Sequence, residues 1–264
     1  MVITLLSDFG DLYPASMKGV ILCINPDANI VDISHSVPAQ DIGQGAFMLM
    51  ATAKFFPSGT VHIAVVDPGV GTQRRAIAIL TESEKYGVHY FIGPDNGLLI
   101  PAAGSIGELE VFELTNDALF RDASGVSATF HGRDIFAPAG AHISKGFEIE
   151  KAGKKINDYL TLDFGSCVKN DGIIEGRIIF IDSFGNIITN IPSGMVDYKY
   201  GGMLEIWGEY VTFQSSYGLS EEGKPLALIG SHGYLEISVN LGSAVSFFNK
   251  KQGDGLVIKT VCMY

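Results

Sequence analysis

The feature that most constrains the fold is a change of period partway along the chain. Up to about residue 145, short apolar runs alternate with segments of helical spacing; from residue 173 on, the helical spacing is gone. Val2 to Leu6, Asn29 to Ile33, Val61 to Val66, Ala76 to Leu80, His89 to Ile92 and Glu110 to Leu114 read as strands. Between or after them lie helical patterns: Pro14 to Ile24 (Met17, Val20, Ile21), Asp41 to Phe56, Leu98 to Ala103, and a segment entered at His131 with Ile135, Phe136, Ala139 and Ile143 on one face. Strands alternating with helices predict a mostly parallel sheet flanked by helices. Beyond residue 173, Ile173 to Ile181, Asn186 to Ile191, Met203 to Gln214, Leu226 to Ile229, Tyr234 to Val239, Ala244 to Phe248 and Leu256 to Val261 are strand-like runs separated by Gly, Ser and Asn turns. That pattern predicts an all-β, barrel-like domain of antiparallel strands. The expected organisation is an α/β domain over residues 1–160, a linker over 161–172 and an antiparallel β-barrel domain over 173–264.

Composition fits two folded domains. The chain has 264 residues, 47% hydrophobic and 18% charged, enough for a substantial core. A net charge of −11 disfavours a general nucleic-acid or anionic-membrane surface, which needs clustered Lys and Arg. No run approaches the roughly 20 apolar residues of a membrane span. Met1 to Leu6 reaches Asp8 without a basic leader and reads as a first strand, not a signal peptide. Cys23, Cys167 and Cys262 are odd in number and far apart, without a Cys-x-x-Cys, which argues against a disulfide framework or zinc site and fits a reducing cytoplasm.

Three carboxylates organise the candidate site. Asp8, Asp67 and Asp95 each follow the carboxyl end of a predicted strand, so a parallel sheet would bring all three to one rim, where open α/β sheets build their sites. Asp67 opens the turn Asp67-Pro68-Gly69-Val70-Gly71, which comes out on Arg74 and Arg75; alone, it reads as a turn with a surface ion pair. Metal binding is disfavoured because there is no His-x-His, His-Glu-x-x-His or tight Asp cluster, and no P-loop or dinucleotide fingerprint surrounds the glycines. No Gly-x-Ser-x-Gly occurs, and no Cys lies beside a His. His131 alone reads as a helix-entry residue, and Asp182 to Asn186 and Ser231 to Tyr234 as hairpin turns.

Leu6-Ser7-Asp8-Phe9-Gly10, Val66 to Arg75, Gly93-Pro94-Asp95-Asn96-Gly97, Phe130-His131-Gly132-Arg133-Asp134-Ile135-Phe136, Asp182-Ser183-Phe184-Gly185-Asn186 and Tyr234-Leu235-Glu236-Ile237 occur together and in order. This set, spanning nearly the whole chain, resembles the S-adenosyl-L-methionine hydrolases, or hydroxide adenosyltransferases, relatives of fluorinase and chlorinase. The resemblance implies an α/β domain followed by a β-barrel. It also implies a homotrimer whose sites lie between one subunit's first domain and a neighbour's second. The implied reaction is attack of water or hydroxide on C5′ of S-adenosyl-L-methionine, giving adenosine and L-methionine. No cofactor or metal is expected, and a small-molecule substrate is the expected partner. Carried over by motif, the catalytic residues are Asp67, Arg74 and His131, Arg74 being taken because the family arginine lies seven positions after the aspartate. The substrate-binding residues are Asp8 at the ribose, Asp95 and Asn96, Phe184 and Asn186 at the adenine, and Asp182, Ser231 and His232 at the methionine end, His232 standing where some relatives have an arginine. Either Asp67 or His131 can serve as the base. Three alternatives remain open: a halide-dependent 5′-halogenase on the same scaffold, a non-catalytic adenosine or S-adenosyl-L-methionine sensor, and a metal-dependent nucleoside hydrolase.

Overall fold

The structure is a computed structural model that describes residues 1–122 and 125–261; Cys262 lies outside the described residues. It divides into two compact units, Met1–Leu162 and Asp163–Tyr264.

The first unit runs β1 (Val2–Ser7), α1 (Tyr13–Ile24), β2 (Asn29–Ser34), α2 (Ile42–Ala53), β3 (Val61–Val65), β4 (Ala76–Ser83), β5 (Gly87–Pro94), α3 (Ile100–Ile106), β6 (Glu108–Glu113), α4 (Ala137–Ser144) and β7 (Lys155–Ile156). Its sheet has the order β2-β1-β3-β5-β4-β6-β7. The first four strands are parallel, and the last three add antiparallel. The apolar runs of β1 and β3 carry no polar alternation because both faces are covered. Ile3, Leu5, Ile63 and Val65 join Met17 and Ile21 of α1 and Ala139 of α4 in one core. On the other face α2 meets α3, and a Cβ at Gly45 would lie 2.9 Å from Leu98 and 3.0 Å from Val66. The expected α2 began at Asp41 and ran to Phe56; it is shorter, and Asp41 is its cap, accepting from the Gln44 N–H at 2.9 Å.

The second unit contains β8 (Val168–Asn170), β9 (Ile173–Ile181), β10 (Ile187–Pro192), β11 (Met203–Ile206), β12 (Glu209–Phe213), β13 (Pro225–Ile229), β14 (Tyr234–Val239), α5 (Ala244–Phe248) and β15 (Gly255–Thr260). The order β10-β14-β13-β12-β11-β15-β9 closes through a β9–β10 pairing, giving a seven-stranded barrel with β8 beside β9. Ile174, Ile178, Ile187, Leu235 and Ile237 fill its core.

Three expectations need correction here. The barrel is mixed rather than antiparallel, because β12 and β13 pair parallel (Thr212 opposite Leu226) across the crossover from Gln214 to Lys224. Met203 to Gln214 is a hairpin rather than one strand. Trp207 and Gly208 take φ of 52° and 86°, the two left-handed residues of a tight hairpin turn. Ala244 to Phe248 is a helix, opened by Ser243, whose Oγ accepts from the Ser246 N–H, and ended by Asn249 at φ 50°.

Candidate active site

Because β1, β3 and β5 are parallel and adjacent, their carboxyl ends deliver Ser7-Asp8, Val66-Asp67 and Asp95-Asn96 to the same rim. The turn after Asp67 folds back on itself: Val70 N–H donates to the Asp67 carbonyl at 3.3 Å, Thr72 N–H to that of Gly69 at 3.2 Å, and the Thr72 hydroxyl to Gly69 O at 2.7 Å. Gly71 has φ +75°, and a Cβ there would stand 2.1 Å from the carbonyl oxygen of Ala128, so this turn admits only glycine against the loop that precedes His131.

The fold-back returns Arg74 to Asp67. Arg74 Nε donates to Asp67 Oδ1 at 3.1 Å, and its Nη2 donates to Asp67 Oδ2, a two-pronged pair with side chains only 9% and 3% exposed. Nη2 also reaches His131 Nδ1 at 3.0 Å, and Nη1 donates to the Arg75 carbonyl at 2.9 Å. Four of the five guanidinium N–H groups are thus committed, and the ring of Phe136 lies 5.3 Å below the guanidinium carbon. An arginine only donates, so the Nδ1 of His131 accepts, and the proton of the neutral imidazole sits on Nε2. Burial, and then the Arg74 cation, hold His131 below the usual histidine range against the opposing Asp67 and Asp134 carboxylates. The result is a cluster of one anion, one cation and one neutral ring.

The other expected site residues divide into two groups. Asp8 lies at the rim, partly exposed, with Oδ2 accepting from the Gln40 N–H at 2.8 Å. Asp95 is also at the rim but is 3% exposed and already occupied: Arg75 Nε donates to it at 2.9 Å and the Leu160 N–H at 2.8 Å. Asn96 donates to the Val66 carbonyl at 2.8 Å and accepts from the Leu98 N–H, which ties the ends of β3 and β5 together.

Asp182, Phe184, Asn186, Ser231 and His232 belong to the second unit. Asp182 closes its own turn, accepting from the Phe184 N–H, the Asn186 N–H and Asn186 Nδ2, each at 2.9 Å. A cavity of about 500 Å³ opens there, lined among others by Asp182, Phe184, Asn186, Tyr217 and Leu241. Phe184 and Leu241 are 77% and 83% exposed. Ser231 is exposed. Both ring nitrogens of His232 are used within the unit: Nε2 lies 3.2 Å from Glu236 Oε2, and Nδ1 accepts from the Tyr234 N–H at 3.2 Å. Burial would raise the Glu236 carboxyl, but hydrogen bonds from His232, Tyr217 and Ser238 outweigh it and hold it below the usual range.

Sequence reasoning gave Asp134 no role, although it stands in the same motif as His131. It is the most heavily bonded carboxylate near the cluster, and its only sequence signal is the preceding Arg133. Among the described residues no group of three or more His, Cys, Asp or Glu side chains is arranged to hold a metal ion, and no helix is long and apolar enough to cross a membrane.

An α/β unit with an acid-bearing sheet edge, a β-barrel unit after it, and an Asp–Arg–His cluster locked by a glycine turn define the class of protein to which this chain belongs. Residues 3–153 match the SAM hydroxide adenosyltransferase N-terminal domain and residues 176–257 the corresponding C-terminal domain, and the chain is a member of that family. It is 38% identical over 255 residues to the (R)-S-adenosyl-L-methionine hydrolase of Thermus thermophilus, covering 94% of this chain and 95% of the relative. The protein of the same name from Methanocaldococcus jannaschii is 35% identical over 265 residues, with coverage of 94% and 92%. The fluorinase of Nocardia brasiliensis stands further off at 29% identity over 294 residues, covering 98% and 96%. The crystal structure of an uncharacterized conserved protein from Thermotoga maritima superposes with a TM-score of 0.88 at 34% identity, covering 98% of this chain and all of that one.

Proposed function

We propose that the protein hydrolyses S-adenosyl-L-methionine, water or hydroxide attacking C5′ to give adenosine and L-methionine. The observation that carries this reading is the Arg74 guanidinium, held in two-pronged contact with Asp67 and bonded to the Nδ1 of His131 at the end of β3. The substrate's sulfonium leaves as a neutral thioether, taking the C–S electron pair, so the leaving group needs no acid and no metal. The demand falls on the water, which must be oriented in line and lose a proton. With Nδ1 committed to Arg74, His131 presents Nε2–H to the water oxygen, the one remaining Arg74 N–H stabilises the developing hydroxide, and Asp67 accepts the proton on a free lone pair. Asp8 takes the ribose hydroxyls, and Phe184 and Asn186 the adenine. Self-association as a homotrimer, independence of metal and residence in the cytoplasm belong to the same proposal, the last supported by the free thiols of Cys23 and Cys167.

The test is incubation with each sulfonium epimer, since the hydrolase relatives' names specify the (R) form. It is run with and without chloride or fluoride and with and without EDTA. Adenosine and methionine in every arm containing the reactive epimer are expected. A 5′-halo-5′-deoxyadenosine product would transfer the protein to the halogenase reading. Calorimetric binding without turnover would leave a sensor, and activity abolished by EDTA would favour a metal enzyme. Light scattering checks the trimer.

A further inference from the structure

We propose that Asp134 is the positioning residue of the site: its buried carboxylate binds Arg121, Ser127 and Arg133 together beside His131 and fixes the imidazole against Arg74. The inference rests on the hydrolase reading for its kinetic consequence but on geometry for its substance. The Asp134 side chain is 1% exposed. Its Oδ1 accepts from Arg121 Nε and Arg133 Nε, both at 2.7 Å, and its Oδ2 from Arg133 Nη2 at 2.8 Å and the Ser127 N–H at 2.9 Å. Its main chain continues the same ties, the Arg121 N–H donating to Asp134 O at 3.0 Å and the Asp134 N–H to Phe130 O at 3.2 Å. One carboxylate therefore gathers residues 121, 127 and 133 around His131.

What it holds is a tightly fitted piece. Residues Gly132–Phe136 form a single π-helical turn, with the Ala137 N–H bonded back to Gly132 O, and such turns recur at functional sites. A Cβ on Gly132 would stand 3.0 Å from the Phe9 ring and 3.2 Å from Met17 Sδ. Phe130 packs edge-on against Phe9 and Tyr13 at 5.7 and 5.4 Å, under the Arg133 guanidinium. Ala128 O presses on Gly71. The loop bearing His131 is thus registered against the residue after Asp8 and against the turn that carries Arg74, and Asp134 is its anchor. The charged groups acting on the His131 ring are Arg74 and Asp67 from the turn after β3 and Asp134 from its own helix, with Arg121 and Arg133 placed on Asp134.

Asp134→Asn in the full chain keeps the side-chain shape and removes the anion. Turnover of S-adenosyl-L-methionine should fall about 10- to 100-fold with KM within about twofold, the loss expected when a reacting group moves by a fraction of an ångström to an ångström. His131 is followed separately by NMR with 13C-labelled histidine, its signal assigned through its loss in His131→Asn. In Asp134→Asn its titration midpoint should move to lower pH, because an anion is gone and two cations are left uncompensated. In Arg121→Gln, which removes one half-exposed cation, it should move to higher pH with a smaller loss of turnover. A carboxylate that acted on the ring only through its charge would give the opposed midpoints but leave the tautomer balance of His131, read from its 13C shifts, as in wild type; a positioning carboxylate holds Nδ1 as the acceptor, so Asp134→Asn should also loosen the proton's preference for Nε2. Unchanged His131 midpoints and chemical shifts in both variants, or a raised KM at wild-type kcat, would overturn the inference. Should Asp134→Asn not fold, Arg121→Gln decides alone. Should the wild type release no adenosine, the hydrolase reading fails while the NMR shifts still judge the positioning role.

Discussion

Lowering the pH from 7 to 5 should cost the first unit about 2 kcal/mol through one residue, His62. This ring, near the start of β3, is fully buried, stacked on Phe91 at 4.7 Å between centroids and lying 5.3 Å from the near-parallel ring of His89. The Tyr86 carbonyl can only accept, so His89 donates to it from Nε2, accepts from His62 Nε2–H on Nδ1, and leaves the Thr4 hydroxyl donating to His62 Nδ1. Both rings are neutral in that chain. Burial, and secondarily the neighbouring His89, push His62 down to about 3. An unfolded histidine titrates near 6.5, so below that pH the unfolded chain binds the proton and the folded one does not. The stabilising preference for the neutral form is therefore complete above pH 6.5 and declines as pH falls, by about 1.4 kcal/mol per unit, levelling off near the folded value. Across the roughly 1.5 units from 6.5 to 5 that gives about 2 kcal/mol, a large share of an ordinary domain's stability. Urea unfolding at pH 7 and pH 5 of wild type and His62→Gln measures it, read by hydrogen exchange of β1 and β3 peptides because the single tryptophan, Trp207, reports on the other unit. The variant should be weaker at pH 7 but lose about 2 kcal/mol less on acidification. Equal losses in the two proteins would refute the argument, since His89, His131 and His142 titrate in both.

Arg74→Lys keeps the charge but forfeits the two-pronged grip on Asp67 and the bond to His131, so kcat should drop on the order of 100-fold with little change in KM; steady-state kinetics with retained binding by calorimetry checks it. Gly71→Ala places a methyl into Ala128 O and a side chain at φ +75°, and should lower both the melting temperature, by an amount matching about 1–3 kcal/mol, and turnover; a variant as active and as stable as wild type would show the turn is slack. In the proposed reaction the cluster acts with His131 neutral, and the folded titration of that ring lies below the usual 6.5, so activity should be full at neutral pH and fall only on the acid side of that value. A kcat profile whose acid limb sits above pH 7 would contradict the Arg74–Nδ1 bond.

How much of this was legible in the sequence follows from what each signal encodes. The strands that carry Asp8, Asp67 and Asp95 were readable because burial on both faces demands predominantly apolar runs, broken only by Thr4, His62 and His89, and the runs stop where the site begins. The motif also named Arg74 as the partner of Asp67, but nothing in the sequence paired Arg75 with Asp95. Arg75 takes Asp95 and Arg74 takes Asp67, an exchange set by one positive-φ glycine and the direction of two neighbouring side chains. In the barrel, the five mostly apolar residues from Ala244 to Phe248 satisfy a strand or a helical turn equally, and the deciding signal was the capping serine before them rather than their period. The turn at Trp207-Gly208 was masked because a tryptophan is an improbable residue at positive φ; its indole N–H donates to the Gly255 carbonyl at 3.0 Å and its ring packs on Phe248, contacts that hold it there.

The charge state of the cluster bears on why it suits the proposed chemistry. A lone guanidinium would be the strongest stabiliser of a forming hydroxide, but the substrate arrives as a sulfonium cation. Two unit charges about 5 Å apart at an effective dielectric near 20 repel by roughly 3 kcal/mol, enough to weaken binding more than a hundredfold. Pairing Arg74 with Asp67 cancels that repulsion at a distance while leaving a directed N–H for the oxygen at close range. The neutral His131 adds a second donor without adding charge, which requires that its Nδ1 be held as an acceptor. As the C–S bond breaks, the sulfonium charge disappears and a proton is released, so the cluster passes from facing a cation to taking up H⁺. An Asp–Arg pair beside a neutral imidazole can do both with small reorganisation, provided the ring does not swing away from Arg74, and that is the motion the buried carboxylate of Asp134 is placed to prevent.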